Sequence, residues 1–300
     1  MESAHVLMTA EFCEHCTFEI PFDWRYCPHC CHGLLCPNVR KAKDRTEKDA
    51  LEERYQSSIA DADSRGAGSV VREFESQVLA AKAVMGVTIG KLLPIAKGSQ
   101  NLFATYYDLI DLKFLAESSG PIDWHTRRPQ AEFEMMGTHK HIEKLYYACL
   151  SIDGTSLPHY GECTVWLAER MIGHRASLLS ENSAVAYHRD HKFGPGHRAI
   201  WADRAKLCVS KLAWALSSTV QSFQFAQLLM KAGATSIEDE FVEVQILGDM
   251  TIKTAERIEI RVSKKQKLSS AKRPRTRRGS KDELLIQDYC RQQGVPCELK

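Results

Sequence analysis

Beyond residue 39, Leu51, Tyr55, Ile59 and Ala62 recur at helical spacing among dense charges. That single narrow stripe predicts a helix that is mostly solvated or leans on a partner, ended by Gly66 and Gly68. Residues 69 to 93 predict a second helix, with Val70, Phe74, Val78, Leu79, Val84 and Met85 available for burial and Pro94 as its stop. A third is expected over 101 to 116, on the apolar face Leu102, Tyr106, Leu109, Ile110 and Phe114. GPIDW at 120 to 124 reads as a turn, and another helix is expected over 139 to 149. No internal repeat is visible.

The period then changes. Residues 162 to 167, ECTVWL, alternate and are β-branched enough for a strand. After a polar, His-rich loop, residues 198 to 216 predict an amphipathic helix on Trp201, Ala205, Cys208, Val209, Leu212 and Leu216, and 223 to 231 a shorter one. Phe241, Val242, Val244, Ile246 and Leu247 form a buried-looking strand. Ile258, Ile260 and Val262 alternate with Glu259 and Arg261 in another. Ser280 and Glu283 have the spacing of a capping box, so a helix starts there and runs to Gly294.

The fold class expected is α+β: a small amino-terminal metal module (1–38), a charged helical linker (39–68), a mixed α+β domain with a few strands (69–262), a basic segment (263–281) and a carboxy-terminal helix (282–300). The apolar share of 44% is that of an ordinary globular protein, and no apolar run is long enough for a transmembrane helix, so no membrane partner is expected. The opening MESAHVLMTAEFCEHC has no basic stretch followed by an apolar core, so a cytoplasmic location is expected, with the eleven cysteines reduced. KDEL at 281 to 284 is internal and carries no address.

Charge changes the picture further. Residues 263 to 281 hold nine basic residues and no acidic one, so the +2 net charge leaves −7 on the rest. Lys272, Arg273, Arg275, Arg277 and Arg278 form its densest part and suit nucleic acid or an acidic protein; a plain solvated linker is the competing reading.

The strongest chemical signal is FCEHCTFEIPFDWRYCPHC, residues 12 to 30. Cys13/Cys16 and Cys27/Cys30 are two Cys-x-x-Cys pairs ten residues apart, the spacing of a four-thiolate zinc site. Phe18, Ile20, Phe22 and Trp24 alternate between them as a short hairpin would. The YCPHC knuckle resembles the zinc-ribbon family. Cys36 stands near enough to replace one ligand, and His15, His29, His32 and Cys31 are also close. Four thiolates leave zinc no open position, so the expected role is structural.

A second resemblance covers residues 159 to 262. Tyr160-Gly161 opening a strand, Arg175-Ala-Ser177 leading to Ser183, and Glu243-Val-Gln245 followed by Gly248 resemble the layout of ADP-ribosyltransferase-fold proteins. The resemblance implies NAD as ligand, Arg175 on a phosphate, Ser177 or Ser183 supporting the site, and Glu243 steadying the ribose hydroxyls. The chain departs from the family where Gln245 follows Glu243: if Gln245 holds the place of the catalytic carboxylate, no transfer is implied. The plainer reading makes Glu243 and Gln245 the solvent face of a half-buried strand. A third reading, a metal-dependent nuclease, uses His188, Asp190, His191 and His197. The first expectation remains a binding or regulatory protein. Substrate, partner and oligomeric state are not legible.

Overall fold

The computed structural model describes residues 11–13, 16–20, 27–30, 36–111, 128–129, 132–133, 141–188, 193–262 and 279–300. At the amino terminus β1 (Glu11–Phe12) pairs antiparallel with β2 (Glu19–Ile20), so the hairpin closes over the first Cys-x-x-Cys turn. The expected hairpin between the pairs falls partly on residues 21–26, outside the described residues.

Three helices follow: α1 (Pro37–Lys43), α2 (Arg45–Ser64) and α3 (Gly68–Ala80). Asp44 caps α2, its side chain accepting from the Thr46 amide at 2.9 Å. The stripe on α2 meets the chain's own core: Leu51 and Ala62 are buried, with Tyr55 and Ile59 packed beside them.

The expected helix over 69 to 93 is in fact helix, strand and helix: α3, β3 (Lys82–Val87) and α4 (Ile89–Ala96). The expected helix over 139 to 149 is mostly β4 (Leu145–Ser151). Both strands are buried on two faces, and a continuous apolar run of that kind carries no period to separate strand from helix. Of the expected third helix, α5 (Tyr106–Asp111) is described.

Next come β5 (Cys163–Leu167), α6 (Glu169–Ile172), β6 (Ala176–Leu179), α7 (Ser183–His188) and β7 (Arg198–Ile200). They are followed by α8 (Arg204–Leu212), α9 (Phe225–Leu229), β8 (Glu243–Leu247) and β9 (Ala255–Ile260), then α10 (Lys281–Gln292) and β10 (Cys297–Leu299). The expected helix over 198 to 216 thus begins as the strand β7. α10 starts at the capping box, Ser280 accepting from the Glu283 amide, and stops at left-handed Gly294, φ 74°.

Eight strands form one mixed sheet in the order β10-β9-β5-β3-β4-β8-β6-β7, antiparallel except for the β10/β9 pair. The class is α+β, with more sheet than the few strands expected. Period-2 alternation gives the sheet two different faces. One points Met85, Leu150, Val165, Leu178, Val244 and Ile258 at helices α2, α3, α4, α8, α9 and α10, with Phe74 and Phe225 edge-on at 5.3 Å in the middle. The other face is smaller in apolar content and rich in buried polar groups.

Candidate functional site

The four clasp sulfurs come together. Cys13 Sγ lies 3.7 Å from Cys30 Sγ, Cys16 Sγ lies 3.5 Å from Cys27 Sγ, and all four fall within 4.8 Å of one another. A tetrahedron of thiolates about 2.3 Å from its centre has edges of about 3.8 Å, so the group has the size that holds one zinc ion. Burial opposes the Cys27 thiolate, but the amides of Cys30 and His29 donate to it and hold it below its ordinary value. The Phe18 amide pulls Cys16 the same way, against burial and the other three sulfurs, which push that thiol up to about 12. The knuckles therefore present N–H groups to sulfur before any ion arrives. Thr17 sits in the left-handed region, φ 59°, where the chain turns out of the first knuckle.

Two alternative ligands are placed elsewhere. Cys36 caps the start of α1, half-buried against Ile142, Leu145 and Leu247. The His29 ring stacks on Phe18, centroids 5.4 Å apart and planes 7° apart. His15, Cys31 and His32 lie outside the described residues, as do Lys272, Arg273, Arg275, Arg277 and Arg278 of the basic segment.

The second candidate is the polar sheet face. Cys149, Glu243 and Leu179 stand side by side across β4, β8 and β6, with Tyr147, Gln245 and Ser177 in the next rung. Glu243 is 3% exposed and Gln245 1%, so they are not the solvent face of a strand. Asp239 is buried at the end of the segment leading into β8.

Most of the polar groups on this face have partners; Trp166 Nε1 is buried without one among the described residues. Glu243 accepts from the Ser183 amide at 3.2 Å, from Ser183 Oγ at 3.0 Å and from Gln245 Nε2 at 2.9 Å. Burial nevertheless pushes its carboxyl up to about 7, against the pull of those hydrogen bonds and of the more distant Arg128 charge. The thiol of Cys149 and the phenol of Tyr160 are raised as well, first by burial and then by the charged groups around them. Tyr107 and Tyr147 donate to Glu132, which also accepts from Arg128 Nε at 2.8 Å. His159 Nδ1 lies 3.0 Å from Asp239 Oδ1, and Asp239 also accepts from the Gly233 amide at 2.9 Å.

The three residues assigned by the transferase resemblance do not converge. Glu243 pairs with Leu179 across β8 and β6, whereas the Arg175 carbonyl accepts from the Leu247 amide, four residues along β8 and so about 13 Å away. The Arg175 guanidinium donates to the carbonyls of Met171, Leu247, Gly248 and Asp249 at 2.7–3.1 Å, pinning the turn after β8. Ser177 sits opposite Gln245 and accepts from Asn38 Nδ2 at 3.1 Å. Ser183, the other serine of that resemblance, is the one that reaches Glu243.

For the nuclease reading, Asp190 and His191 lie outside the described residues, as does the His188 side chain, and His197 Nδ1 meets Ser180 Oγ at 3.0 Å. The sequence pattern gave no sign of Asn38, Tyr147 or Cys149. The last two fall in the run LYYACLS, whose strand character had no visible period, and Asn38 carries no motif at all.

No helix of the described residues is long and apolar enough to cross a membrane. No protein-family model matches the chain, and no curated protein matches it.

Proposed function

We propose that the chain is a zinc-stapled binding or regulatory protein whose basic segment engages an acidic partner, nucleic acid first. The observation that carries this reading is the closed group of four sulfurs. Four thiolates fill a zinc shell and leave no position for a reacting water, so the clasp organises a surface rather than performing chemistry. The nine basic residues of 263 to 281, set against a body of the opposite sign, supply the partner's chemistry.

Two measurements test it. The purified protein should contain about one equivalent of zinc without added metal. Its affinity for nucleic acid should fall with salt by about 0.9 log units per log unit of salt for each duplex phosphate contacted, and deleting residues 263 to 281 should flatten that slope. Nucleic-acid binding that is unchanged by the deletion removes this version of the reading.

A second reading has its own support. A buried carboxyl raised to about 7 and held by Ser183 is suited to general acid–base work near neutral pH. We infer an NAD-using, ADP-ribosyltransferase-like site in which Glu243 and Ser183 act. Arg175, occupied with backbone carbonyls, takes no part in it. On this reading millimolar NAD raises the melting temperature and Glu243→Gln abolishes NAD consumption. Absence of any NAD effect on melting discards it.

A further inference from the structure

Beside the polar sheet face lies a half-open cavity of about 370 Å³, walled by α2, the β6–α7 connection, α8 and the segment before β8. Two cations enter it, Arg54 from α2 and Lys211 from α8. Both are half-buried, and burial disfavours the charged form of each and lowers its pKa. Partly desolvated cations normally sit against a carboxylate. Among the described residues neither has one within ion-pair distance. Lys211 Nζ donates to the Phe241 carbonyl at 3.1 Å, and Arg54 Nη1 donates to the Gly196 carbonyl. An ammonium has three N–H bonds and a guanidinium five, so most of their donor capacity is unassigned.

The chain next to His197 is packed closely against α2. Gly196, φ +81°, lies so close to α2 that a Cβ there would stand 2.8 Å from the Ala50 carbonyl carbon. Its amide donates to Glu47 at 2.8 Å, and Glu47 pairs with Arg198 at 3.3 Å, both buried. Glu181 and Glu240 act on Lys211 from a distance without reaching it, and Glu238 and Glu240 complete the rim, with the carboxylate of Asp239 buried beneath and held by His159 and Gly233. Two open cations with acceptors opposite fit a ligand that is anionic at one end and carries hydroxyl or amino donors at the other. The acidic rim disfavours a second negative group.

We propose that this cavity is a binding site for a small organic anion of mononucleotide size, its phosphate or carboxylate held between Arg54 and Lys211 and its donor groups turned to the rim carboxylates. The volume lies within the usual range of ligand pockets. Arg54 and Lys211 are binding residues here, and the site does not depend on Glu243.

Isothermal titration and melting of the full chain with AMP, inorganic phosphate and acetate test the proposal. AMP should bind saturably and raise the melting temperature, with ATP weaker than AMP. A phosphate response without an acetate response identifies the head group as phosphate, and the reverse identifies carboxylate. Arg54→Met and Lys211→Met should each weaken binding by about tenfold or more. Lys211→Met loses its bond to Phe241, so its circular dichroism is checked, and Arg54→Met carries the comparison if Lys211→Met misfolds. No heat and no melting shift with any of the ligands up to about 10 mM, or wild-type affinity in Arg54→Met, overturns the proposal.

Discussion

Glu243 offers a quantitative test, because its environment sets both the sign and the size of an effect. Its ordinary pKa is 4.5 and burial raises it to about 7 in the folded chain. The native state therefore holds the proton more tightly than the unfolded state. This group's contribution to stability is full below pH 4.5, is lost as pH rises, and is gone above about 7. Each tenfold difference in proton affinity between the two states is worth about 1.4 kcal/mol, so the loss across that window is about 3 kcal/mol. Glu243→Gln removes the titration. Its carboxamide has one acceptor where the carboxylate has two, so one donor among Ser183 and Gln245 loses its partner, at about 1 kcal/mol.

The expected result is a variant slightly less stable than wild type near pH 5 and more stable by about 2 kcal/mol near pH 8. Urea unfolding of both proteins from pH 5 to 8.5 measures it, and the difference curve cancels every group they share, including Asp239, Cys149, Tyr160 and Arg128 around the carboxyl. A wild-type-minus-variant difference that is flat across this range refutes the reasoning, because it means that Glu243 does not change its charge there.

Other perturbations have equally definite outcomes. Cys27→Ser, or strong chelation, should release the metal and unfold the clasp, seen as loss of zinc by elemental analysis and rapid proteolysis before residue 36. Thr17→Gly should relieve a left-handed β-branched residue and stabilise the clasp by about 1 kcal/mol, read as a higher chelator midpoint. Arg198→Met leaves buried Glu47 without its counter-charge and should cost about 3–5 kcal/mol in denaturant unfolding, with Glu47→Leu in the same chain recovering part of the loss. Phe74→Ala, at the centre of the apolar face, should cost about 3–5 kcal/mol by the same assay.

The sequence was legible where a local rule acts alone. Two Cys-x-x-Cys pairs announce the clasp, Ser280 and Glu283 fix the start of α10, and the alternation from Cys163 to Leu167 marks β5. It was opaque where burial comes from distant parts of the chain. KAVMGV and LYYACLS are strands covered on both sides, and a covered strand looks like a stretch of helix. Glu243 and Gln245 alternate with Val244 and Ile246 as solvent-facing residues would. Nothing local records that Asn38, Ser183 and the Leu157 to Tyr160 loop cover that side of the sheet. Arg175 shows the same limit: an arginine ahead of a serine strand has the pattern of a phosphate clamp, and only the turn at Gly248 reveals what it binds.

Distant contacts also join α1 to the polar face. Asn38 lies two residues beyond Cys36 on α1, and its amide donates to the Arg175 carbonyl, to Ser177 Oγ and to the Gln245 carbonyl at 3.0–3.1 Å. It thereby stitches β6 to β8 one rung from Glu243. α1 is only seven residues long, too short to hold its helix unaided in water. Its geometry depends on packing against β6 and β7. Packing against the sheet therefore fixes α1, and through Asn38 that helix is tied to the rung beside the buried carboxyl.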